Sequence, residues 1–116
     1  MKYLCLVYLE PGALAGLNAE QQADLDRASL AYDAELERRG HFIAASALQD
    51  VSSASTIRRR GGRTLVVDGP FAETKEVLAG FIFIEARDKA EAIEIASHVP
   101  VGQFGSIEVR PDLDIG

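Results

Sequence analysis

Tryptophan is absent, and the 116 residues include one cysteine, one methionine and two histidines. A lone cysteine excludes an internal disulfide, and Cys5 lies in the apolar run YLCLVYL, where a thiol serves as a small buried hydrophobe rather than a nucleophile. A reducing cytoplasm is the expected setting. Two histidines without a cysteine cluster leave a zinc site short of ligands. HExxH, a glycine-rich phosphate loop and GxSxG are also missing, so metalloprotease, nucleotide-binding and serine-hydrolase chemistry lack their groups. No metal and no cofactor is expected.

Cations are in deficit as well. Twelve Lys and Arg against 18 Asp and Glu give a net charge of -6, the wrong sign for a phosphate backbone, so no direct nucleic-acid contact is expected. Arg58, Arg59, Arg60 and Arg63 form a local basic patch, but strand alternation spreads them over both sides of a hairpin, where a solvated surface explains them. No apolar run approaches the roughly 18 residues of a membrane span. Lys2 and the run from Tyr3 to Leu9 imitate a secretion signal, but Glu10 and Pro11 follow at once. No membrane association is expected.

What is present is one unit, residues 1–116, 47% hydrophobic and 26% charged, without repeats or linkers. Residues 2–9 are rich in β-branched and aromatic types and end at Glu10, Pro11 and Gly12, which predicts a strand apolar on both faces. Leu25, Ala28, Tyr32 and Leu36 then recur at helical spacing, opened by Asn18 with Gln21 as a capping box and closed by Arg38, Arg39 and Gly40. A second strand is predicted over 41–48, a hairpin turning at Gly61 and Gly62, and a third core strand over 80–87 around FIFI. Asp88 and Glu91 open a second helix that carries Ala92, Ile93, Ile95 and Ala96 and ends near Val99 and Pro100. A last strand is predicted over 104–110, stopped by Pro111.

Setting the hairpin aside leaves strand, helix, strand, strand, helix, strand: an α+β fold, the ferredoxin-like βαββαβ antiparallel sheet with an inserted β-hairpin. Its helices cover one sheet face, yet YLCLVYL and FIFI carry large apolar residues on both. A homodimer that packs open face on open face would cover the rest and enclose a cleft. If Ile107 and Val109 point to the helices, Ser106, Glu108 and Arg110 line that cleft, which suits a small-molecule ligand.

VVDGPFAETKEVLAGF, residues 66–81, closely resembles the signature of the YCII-related family, in its DGPF-domain branch, and the similarity extends from KYLCLVY to GSIEVRP. The resemblance implies a dimeric α/β barrel. A related member resembles a lactone dehydrochlorinase akin to muconolactone isomerases, so lyase or isomerase activity is one implication. DGPF members often lie beside extracytoplasmic-function sigma factors, so a non-catalytic accessory or regulatory module associated with such a factor is the alternative. The family's suspected acid and base, a His and an Asp, carry over to Asp68 and His98.

Each candidate also has a plainer explanation. Asp68 suits a turn in which its carboxylate caps local amides while Gly69 takes the unusual backbone angle. His98 falls in the last turn of a helix, where an imidazolium meets carbonyl ends regardless of chemistry. Lys75 either reaches the cleft to hold a substrate carboxylate or joins Glu73 and Glu76 in a solvated helical turn. Glu108 and Arg110 either orient a substrate or form a cross-strand pair. His41, opening a strand with no partner legible in sequence, is read as solvated or interfacial.

Overall fold

The capping box at Asn18 forms as its residue types dictate: Asn18 Oδ1 accepts from the Gln21 amide at 2.8 Å, and Gln21 Oε1 accepts from the Asn18 amide at 2.9 Å. It opens α1 (Ala19–Arg38) in the computed structural model, which describes residues 1–116. Before it comes β1 (Lys2–Leu9); after it come β2 (Phe42–Ala47), β3 (Ser55–Arg60), β4 (Arg63–Asp68), β5 (Val77–Glu85), α2 (Lys89–Ser97) and β6 (Ser106–Pro111). The run that imitates a secretion signal is therefore an inner strand, paired with β5 on one side and β6 on the other. No helix is long and apolar enough to cross a membrane.

The sheet order is β2-β5-β1-β6, all neighbours antiparallel, while β3 and β4 pair only with each other. That is the ferredoxin-like arrangement with an inserted hairpin, as expected. Period-two alternation divides the sheet. Tyr3, Cys5, Ile82 and Ile84 face the helices and join Leu36, Ala92, Ile95, Ala96 and Val99 in the buried core, with Ile107 and Val109 packed beside them. Burial pushes the Cys5 thiol up to about 11, as befits a packing group. Tyr32 links the two helices, donating its phenolic hydrogen to the Ile95 carbonyl at 2.7 Å.

Several boundaries and contacts differ from expectation. The inward seam of α1 runs through buried Leu25 and Leu36 and half-buried Ser29 and Tyr32, leaving Ala28 exposed, because i+4 and i+3 steps from Leu25 both fit a helical face and packing selects one. On α2, Ala92, Ile95 and Ala96 are buried while Ile93 turns outward. β5 begins at Val77, three residues before Gly80, with a bulge at Ala79. Gly80 is required inside it, since a Cβ there would stand 2.7 Å from the Ser46 carbonyl oxygen. After α2, a 3₁₀ turn over Pro100–Phe104 delays β6 to Ser106. Glu73, Lys75 and Glu76 do not form a helical turn; the segment bends without repeating hydrogen bonds.

A candidate ligand face and the residues around it

The helices leave one sheet face open, and its composition follows from register. Ala44, Phe83, Leu4 and Arg110 form one row across the four strands; Ser46, Phe81, Leu6 and Glu108 form the next; Tyr8 with Ser106 begins a third. Leu4, Leu6, Tyr8, Phe81 and Phe83 are half-buried, whereas Ser106, Glu108 and Arg110 are exposed. An apolar floor thus carries a polar edge along β6, with the facing expected from alternation. Arg110 and Glu108 are two residues apart on the strand, about 7 Å, and form no ion pair with each other.

The motif segment returns to one end of this face. Gly69 adopts φ 103°, which explains glycine after Asp68, and its amide donates to the Ala54 carbonyl at 2.7 Å, closing the foot of the β3–β4 hairpin. Thr56 Oγ1 donates to the Gly69 carbonyl at 2.8 Å. Downstream, Lys75 pairs with Glu10 at 3.5 Å, and Ser106 Oγ donates to Glu76 Oε1 at 3.3 Å. These contacts tether the segment to the end of β1 and the start of β6, and Lys75 reaches neither of the acids beside it.

Asp68 stands exposed at the hairpin foot, and its carboxylate accepts no hydrogen bond and joins no ion pair within the chain. It therefore does not cap the turn amides. His98 lies elsewhere. It is the C-cap residue of α2, on the helix side of the sheet, and its Nε2 is 2.9 Å from Glu94 Oε1, with both side chains mostly exposed. A groove of about 720 Å³ between α2, the 3₁₀ turn and β6 includes His98, Lys89, Ile93 and Gln103, and one of about 410 Å³ between the helices includes His98, Tyr32 and Arg39. Within one chain, the structure gives Asp68 and His98 separate surroundings and places His98 across the sheet from Glu108 and Arg110.

His41 acquires the partner its sequence context did not show: its Nδ1 donates to the Glu85 carbonyl at 2.8 Å, and its own carbonyl accepts from the Glu85 amide at 2.8 Å. No three His, Cys, Asp or Glu side chains gather in a metal-binding group.

The element order, the sheet order and the one-sided helices define a ferredoxin-like α+β protein. The chain belongs to the YCII-related domain family, whose model matches residues 1–114. An uncharacterized protein of Rhizobium meliloti (strain 1021) is 33% identical over 113 residues, covering 96% of this chain and 91% of its own. A solved structure, 5-chloro-2-hydroxyhydroquinone dehydrochlorinase from Burkholderia phenoliruptrix AC1100 in complex with 2,5-dihydroxybenzoquinone, is similar over 97% of this chain and 94% of its own, with a TM-score of 0.56. At 17% sequence identity that likeness is one of fold.

Proposed function

We infer that the protein binds a small carbonyl compound, a lactone or a hydroxylated quinone, on the open sheet face, in a cleft that the same face of a second copy completes as a dimeric α/β barrel. The observation that carries this is the half-buried floor of Leu4, Leu6, Tyr8, Phe81 and Phe83 beside exposed Ser106, Glu108 and Arg110. Apolar walls hold the ring of such a ligand and convergent polar groups orient its oxygens. Arg110 is suited to a carboxylate or enolate oxygen, because its planar fork donates two parallel hydrogen bonds; Glu108 accepts from a hydroxyl.

Asp68 is the proposed base. Its carboxylate has no partner in its own chain, and the segment that follows it runs to the end of the sheet where Ser106 begins β6. An unpaired carboxylate at the hairpin foot, brought to the cleft end in the dimer, is suited to removing a proton adjacent to a carbonyl, the step that opens a lactone isomerisation. In this reading His98, paired with Glu94 on the helix side of the sheet, takes no part in the cleft, and Lys75 serves as a cation at the cleft end once released from Glu10.

The test is calorimetric titration with 2,5-dihydroxybenzoquinone and with an unsaturated γ-lactone, followed by turnover assays. Arg110→Ala and Glu108→Gln are expected to weaken binding at least tenfold with an unchanged melting temperature. Asp68→Asn is expected to bind normally and turn over nothing. A chain that binds neither probe and instead co-purifies with a sigma factor would overturn this in favour of the accessory module.

A further inference from the structure

The hairpin of β3 and β4 is a basic, apolar arm that its own chain leaves uncovered. Ile57 is 65% exposed, Leu65 51%, Val66 65% and Val67 53%, and Phe71 beyond its foot is 74% exposed. Register puts Ile57 beside Val66 on one face and Leu65 with Val67 on the other, so both faces present apolar side chains. No helix or strand of the main sheet packs substantially against either face. The radius of gyration is 16.1 Å, against about 13 Å for a compact chain of this length, as a projecting arm requires. A two-stranded hairpin standing alone in water is marginal, so this arm needs an occupant on its faces.

Charge identifies the occupant. Outside the arm, half of the Lys and Arg side chains, Arg27, Arg39, Arg87 and Lys75, meet a carboxylate of this chain; within it none of Arg58, Arg59, Arg60 and Arg63 does, and they are clustered. Arg58 and Arg60 donate only to backbone carbonyls, of Phe71 at 3.4 Å and Arg59 at 2.8 Å. Four arginines against Asp68 give residues 55–68 a formal charge of +3, and since the whole chain carries -6, the remainder carries -9. The surface complementary to the arm is therefore the acidic body of another copy of this chain, where exposed Glu20, Glu37 and Glu73 join no ion pair of their own.

We propose that the arm docks on a second copy, its arginines pairing with that copy's carboxylates and its apolar faces covered by that copy's surface. Six residues per strand extend the tip about 20 Å from the foot, far enough to leave its own chain. The assembly shares with the proposed cleft only the presence of two copies, and it does not depend on a ligand.

The experiment is photo-cross-linking with benzoylphenylalanine at Ile57 or Val66, with sedimentation equilibrium on two variants. One deletes residues 55–68 and joins Ala54 to Gly69, which are already hydrogen-bonded; the other changes the four arginines to glutamate on an exposed surface, where folding does not depend on them. Covalent dimers are expected from the labelled arm. Both variants are expected to dissociate at least 100-fold more readily, and the wild-type dimer is expected to weaken with salt. Cross-links within one chain, or a dimer unaffected by either variant, would overturn the proposal, as would arm-dependent binding to a DNA duplex. A dimer that survives arm deletion but dissociates on Leu6→Asp keeps the cleft and rejects the arm.

Discussion

Glu108 stands directly across the β1–β6 ladder from Leu6, and both side chains lie on the sheet face away from the helices. One residue is half-buried and the other exposed, so a charged group borders an apolar floor that no helix of this chain covers. Replacing Leu6 by aspartate places a second carboxylate beside Glu108. If a second copy covers this face, an uncompensated buried charge costs several kcal/mol. Sedimentation of Leu6→Asp is expected to show a monomer with native circular dichroism; an intact dimer would place the interface elsewhere.

Tyr32 and Ile95 give a test of helix packing. Removing the hydroxyl with Tyr32→Phe deletes the hydrogen bond between α1 and α2 and is expected to lower stability by about 1 kcal/mol in urea denaturation. Burial is the main cause of the raised Tyr32 pKa, against a partial lowering by Arg39. A raised folded pKa means that the neutral phenol's contribution is complete below the unfolded value near 10 and is lost as pH rises through the folded value. The stability gap between wild type and Tyr32→Phe should therefore close above pH 10.

Cys5 should be nearly inert in the folded chain. It is fully buried, and with its pKa near 11 the thiolate is about one part in a thousand at pH 8. Ellman's reagent is expected to modify it about 100-fold more slowly in buffer than in 6 M guanidinium. Rapid native labelling would show that β1 opens locally.

Gly105 lies where the 3₁₀ turn meets β6, and a Cβ there would come within 2.1 Å of the Tyr8 carbonyl oxygen. Because the obstacle is backbone, Gly105→Ala must displace a strand and is expected to cost about 3 kcal/mol, at the upper end for overpacking. Gly102→Ala meets only the flexible tip of Ile107 and should cost less, a difference that thermal melting of the two variants checks.

Local chemistry carried much of the fold. Asn18 with Gln21 and Asp88 with Glu91 marked both helix starts, Gly61 with Gly62 the hairpin turn, and alternation at Ile107 and Val109 the facing of β6, because caps, turns and strand periodicity depend on neighbours in sequence. The α1 seam, the early start of β5 and the 3₁₀ turn before β6 depended on packing between distant segments. The partners of candidate residues His98 and Lys75, and of Glu76 and His41, were also set by tertiary structure. His98 pairs with Glu94, Lys75 with Glu10, Glu76 with Ser106 and His41 with Glu85, and apart from Glu94 each partner is more than 25 residues away along the chain. Sequence by itself thus determined the elements, their order and the presence of an apolar face without helices, since these follow from residue type and spacing. Only the tertiary structure decided that Asp68 and His98 have different surroundings and that the hairpin stands apart from the sheet, because side-chain partners arise from contacts between segments that chain connectivity does not specify.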